Sequence, residues 1–139
     1  MQRLWIGLGA LAGLCAVAMA AFSAHGLSQS DPAALRMVQS ALQIHGWHAL
    51  ALLAVGLWAP RGGRWTDAAG AAFAVGLLLF CGAIYALALG GIALGRVAPI
   101  GGALLMIGWA LLGVSAIVPA RTRLARDEAV KYKESEFPP

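Results

Sequence analysis

The sequence predicts an all-α membrane protein, a four-transmembrane-helix antiparallel bundle with an N-in/C-in topology. Three observations predict it. Of the 139 residues, 60% are hydrophobic and only 12% are charged, against about 25% charged in an ordinary soluble domain. Four uncharged apolar stretches, residues 4–24, 41–59, 68–89 and 100–118, hold 19 to 22 residues each; as helices they reach roughly 28 to 33 Å, the thickness of a bilayer's hydrocarbon core. The basic residues are also unevenly distributed. Arg3, Arg61, Arg64, Arg121, Arg123, Arg126, Lys131 and Lys133 fall on one side of such a bundle, and only Arg36 and Arg96 on the other. The positive-inside rule places the eight in the cytoplasm.

The first span follows Arg3 and ends near Ala18-Met19-Ala20, a pattern that mimics a secretory signal with a small-residue cleavage site. Its apolar run exceeds the roughly 7 to 15 residues of a signal core, and three more spans follow, so retention is expected. Asp31-Pro32 reads as an N-cap and first helical residue, which starts the second helix well before its apolar run. Pro60-Arg61-Gly62-Gly63-Arg64 reads as a short turn, Gly90-Gly91 as the end of the third helix and Pro99 as the opening of the fourth. Short connections make adjacent helices antiparallel neighbours. Residues 1–118 thus form the four-helix domain and 119–139 a cytoplasmic tail, basic and then mixed in charge.

Trp5, Trp58 and Trp65 are expected in the aromatic belt at the inner interface. Gly9-x-x-x-Gly13 in the first span and Ala72-x-x-x-Gly76 in the third place small residues where helices approach closely, most simply within one bundle. Cys15 and Cys81 lie in apolar runs and supply neither a disulfide framework nor metal-ligand spacing. The basic start of the tail, Arg121, Arg123 and Arg126, is expected on anionic lipid of the inner leaflet. The net charge of +4 reflects topology rather than nucleic-acid binding, because the basic residues form no aromatic-laced surface.

Residues able to carry chemistry are few. Arg36, Gln39, Ser40 and Gln43 recur at helical spacing as a polar stripe, a solvated face at the outer interface or the wall of an entrance. His25 closes the first span, while His45 and His48 lie three residues apart on the second and are expected to point inward. Haem ligation, metal coordination and a proton relay toward a quinone or solute site compete with a plain interhelical hydrogen-bonding role. No third ligand stands at fixed spacing, so no metal or other cofactor is assigned. Arg96, ahead of Pro99 and Gly101-Gly102, suits an anionic group or a lipid headgroup. Walker loops, nucleophile elbows and paired carboxylates are missing, and an enzyme is not expected.

The stretches Ala21-Phe22-Ser23-Ala24-His25-Gly26-Leu27, Trp47-His48-Ala49-Leu50-Ala51-Leu52-Leu53, Leu79-Phe80-Cys81-Gly82-Ala83-Ile84-Tyr85 and Pro99-Ile100-Gly101-Gly102 with Gly108-Trp109 resemble the family called domain of unknown function 423. That family includes bacterial YgdD-like proteins and the animal transmembrane protein 256. The likeness runs over roughly residues 4–118. It implies a small polytopic protein of the bacterial inner membrane, without an established activity to carry over. His25 and His48 match family histidines and His45 does not; Ser23 stands where the family commonly has glycine.

The leading expectation is a non-catalytic inner-membrane protein, an accessory or assembly subunit packed against a larger membrane complex. A small transporter or channel using His25, His48, Gln43 and Arg96 is the second reading. A histidine-based haem- or quinone-associated redox protein is the third.

Overall fold

The computed structural model describes residues 1–27, 32–118 and 132. Helix α1 (Gln2–Phe22) runs into a π-helical turn (Ser23–Leu27), succeeded by α2 (Pro32–Gly90) and α3 (Val97–Ile117). No strand occurs among the described residues. Three helices are long and apolar enough to cross a membrane: α1 with most of its π-helical extension, α2 and α3, with mean hydropathies of 2.1, 2.4 and 2.0. Asp31 and the tail arginines 121, 123 and 126 lie outside the described residues.

Helix α2 has 59 residues, about 88 Å if it were straight. It instead folds back on itself at Gly63, whose φ of 58° and ψ of −146° interrupt the helix. A side chain rarely adopts that conformation, whereas glycine does so readily. The five-residue turn expected at 60–64 is therefore a reversal concentrated in one residue, with helix continuing through Pro60. Gly62 matters for a second reason: Thr66 and the Trp58 indole pack where its side chain would be.

The two arms, 32–62 and 64–90, pack antiparallel, as shown by the Cys81 thiol donating to the Ala41 carbonyl at 3.5 Å. Helix α1 lies antiparallel to the first arm. Gly9 meets Ala49 and Leu53, and Gly56 meets Ile6 and the Gln2 carbonyl. Helix α3 runs antiparallel to the second arm through Gly101 on Phe80, Gly76 on Leu105 and Gly108 on the Phe73 ring. At Gly9, Gly56, Gly76 and Gly101 glycine lets a neighbouring backbone approach to a distance that a methyl group would prevent, and at Gly108 it makes room for the Phe73 ring. The core between them holds Leu52, Val55, Ala69 and Phe73, all nearly inaccessible.

Trp5 stands at the hinge end of the bundle but faces inward rather than outward. It is only 4% exposed, lies on Gly70, and donates its indole N–H to Asp67 Oδ1 at 2.7 Å. A buried indole N–H needs an acceptor, and Asp67, one turn beyond the hinge, provides it. This contact sets the start of α1 beside the hinge. The opposite end carries the π-helical turn, the start of α2 and the 91–96 connection. There Gly91, at φ 65°, caps α2 by donating its N–H to the Leu87 carbonyl at 3.0 Å.

Candidate functional site

His45 and His48 occupy the buried side of the first arm, at 8% and 5% exposure. Their partners diverge. His48 Nε2 accepts the Trp109 indole N–H at 3.1 Å, and Nδ1 lies 2.8 Å from the Ile44 carbonyl one turn back. The imidazole also packs on Phe73, with ring centroids 5.5 Å apart, and Phe73 meets Trp109 edge to face at 5.2 Å. This trio joins α3 to both arms of α2. Both nitrogens of His48 are engaged, so ligating a haem or metal would break one of these bonds.

His45 Nδ1 instead lies 3.2 Å from the Tyr85 hydroxyl, across the arms of α2. Its Nε2 has no hydrogen-bond partner among the described residues. The pair sits at the edge of a cleft of about 450 Å³, open at the bundle surface. Leu8, Leu11 and Cys15 of α1 form one wall, and Val75, Leu78 and Gly82 of the second arm form the other. Leu52 and Cys81 also line it, so the surface is almost wholly apolar apart from His45 and Tyr85.

Helical rise locates the pair. His45 is 18 residues from Gly63 and Tyr85 is 22, roughly 27 to 33 Å along the arms. The cleft runs back from there past Leu78 to the level of Ala74 and Leu8. It is an apolar trough with one hydrogen-bonding end.

The remaining expected site residues do not converge on the histidines. His25 is exposed in the π-helical turn, Gln43 is exposed on the first arm, and Arg96 is the exposed N-cap position of α3 without a side-chain cap bond. Of the helix-packing residues, Gly9 and Gly76 lie in interhelical contacts, Gly13 has open space around it, and Ala72 is half-buried. No group of three or more His, Cys, Asp or Glu able to hold a metal occurs among the described residues. Sequence reasoning passed over Tyr85, Phe73 and Trp109 as site residues. Tyr85 and Trp109 stand within the blocks that carry the family resemblance, but nothing local indicates that they meet histidines 40 and 61 positions away.

A helical bundle with apolar outer faces and an apolar lateral cleft defines an all-helical membrane protein. The chain belongs to the family described as protein of unknown function, DUF423, whose profile matches residues 19–102. It is 38% identical over 111 residues to a UPF0382 membrane protein of Haemophilus influenzae, covering 78% of this chain and 90% of that protein. The UPF0382 inner membrane protein YgdD of Escherichia coli K12 is 35% identical over 119 residues, covering 84% and 91%. The UPF0382 membrane protein YwdK of Bacillus subtilis is 35% identical over 120 residues, covering 84% and 98%. No solved structure matches the chain.

Proposed function

We propose that this chain is a non-catalytic subunit of the bacterial inner membrane that accompanies or helps assemble a larger membrane complex. The two arms of α2 and the two flanking helices cross the bilayer four times, with both termini in the cytoplasm. The carrying observation is the division of the helical glycines into two sets. Gly9, Gly56, Gly70, Gly76, Gly101 and Gly108 sit in contacts inside the bundle, whereas Gly7, Gly13, Gly46 and Gly113, all outside the cleft lining, meet nothing within 4 Å of an added Cβ. A glycine inside a helix costs about 0.5–1 kcal/mol relative to alanine. Close approach by a helix of another protein gives the open set a use.

The sidedness rests on charge. Arg3, Arg61 and Arg64 gather at the end of the bundle where Trp5 meets Asp67, and a basic end faces the cytoplasm. Name and matched length of YgdD support the inner membrane. Two measurements test the reading. Purification in a gentle detergent should recover one stoichiometric membrane partner, lost in a Gly7→Leu/Gly13→Leu variant that still folds; a lone monomer under several conditions would overturn it. Cysteine accessibility labelling should find both termini on the cytoplasmic face, and termini on opposite faces would overturn the topology.

A further inference from the structure

We propose that the cleft between α1 and the second arm of α2 binds one membrane amphiphile, with the amphiphile's carbonyl or hydroxyl group at His45–Tyr85 and its apolar chain along the trough. This does not rest on the subunit reading above, since the cleft belongs to a single copy of the chain. Three observations carry it. The site is concave and apolar with one convergent polar pair, the form ligand sites usually take. His45 is buried yet lines the cleft, and its Nε2 lacks a partner among the described residues. That nitrogen opens on the cleft rather than into packed protein, so it is free to accept from a ligand hydroxyl, or to donate to a ligand carbonyl if Nε2 carries the proton.

The third observation is placement. The rim residues Leu11, Val75 and Leu78 are 55%, 49% and 74% exposed, so the opening faces sideways, where a membrane protein meets lipid. The polar pair stands some 27 to 33 Å along the arms from the hinge, near the far edge of a hydrocarbon core about 30 Å thick. The apolar trough extends from it toward mid-membrane. An amphiphile in a bilayer has that same order, polar group at the boundary and chain inward. A water-borne ion or solute would find apolar walls and a lateral mouth. Gly82 keeps the second wall low: an added Cβ meets nothing within 4 Å, so the first atom of a larger side chain enters the wall without a clash.

Two sources supply this chemistry, an acyl lipid and an isoprenoid quinone, and photolabelling of the full-length protein in phospholipid nanodiscs separates them. Three diazirine probes are compared: a long-chain fatty acid, a quinone with an isoprenoid tail, and a plain alkane. Adducts are mapped by mass spectrometry on the cleft residues and on Leu50 and Leu57, which are 65% and 64% exposed on the first arm. At least one headed probe should label the cleft tenfold above Leu50 and Leu57, and the stronger of the two identifies the source. Gly82→Phe should lower cleft labelling about tenfold. Tyr85→Phe and His45→Leu should weaken the headed probes severalfold and leave the alkane unchanged. If Gly82→Phe does not fold, Leu78→Trp closes the mouth from its exposed rim. Equal labelling of cleft and outer faces, labelling indifferent to both blocking variants, or an alkane that labels as well as the headed probes would overturn the proposal.

Discussion

Trp109 donates its indole N–H to Nε2 of His48 at 3.1 Å, while the other ring nitrogen of His48 meets the Ile44 carbonyl at 2.8 Å. An indole only donates and a carbonyl only accepts, so His48 is neutral with its proton on Nδ1. Nitrogen-15 spectra of labelled protein should show that tautomer. Trp109→Phe keeps the ring but removes the donor. Because interhelical hydrogen bonds in membrane bundles average about 0.6 kcal/mol and reach about 1.7, a loss of about 1 kcal/mol is expected in a detergent unfolding titration.

The glycines separate into sites that reject a methyl group and sites that accept one. At Gly101 an added Cβ runs into the Phe80 backbone, which has no flexible end to move aside. Gly101→Ala should destabilise by about 1–3 kcal/mol, as overpacking does. Gly113→Ala, in open space, should be neutral or stabilise by up to about 1 kcal/mol through helix propensity. Unfolding of the two variants side by side checks the contrast.

Much of the secondary structure was legible because membrane helices announce themselves by unbroken hydropathy. The facing of those helices was not. Helices α1 and α3 are apolar nearly all round, so their periodicity does not say which side turns inward. Trp5 illustrates this: its position near a basic terminus suggests an interfacial anchor, and only the packing of Gly70 and Asp67 against it reveals an internal residue. Likewise, three-residue spacing brings His45 and His48 to one side of a helix, but Tyr85 and Trp109 send them to different tasks. The location of the hinge was readable from Pro60 to Arg64, whereas its confinement to Gly63 depends on backbone angles that no residue pattern specifies.

Gly63→Ala tests that confinement. Alanine at φ 58° and ψ −146° occupies backbone space used almost only by glycine, at a cost of about 1–3 kcal/mol. A lowered melting temperature is expected, with Gly63→Asn no better, since that ψ lies outside the left-handed region that asparagine tolerates. Equal stability of Gly63→Ala and the parent would contradict the observed hinge.

Asp67→Ala should leave the Trp5 indole N–H without its acceptor. The penalty expected is about 1–3 kcal/mol, the cost of an unsatisfied buried donor. Trp5→Phe/Asp67→Ala, which removes both partners, should lose less than the sum of the single changes. A double-mutant cycle measured by chemical unfolding checks this.

The outer helices each dock on α2, with Trp5 reaching Asp67 and Gly70 on one flank and Trp109 reaching His48 and Phe73 on the other. The hairpin is thus the keystone, and the flanks are tenants who scarcely share a wall. For an engineer this means that one flank can be rebuilt, or its lipid-facing surface redesigned, with the opposite flank left as found.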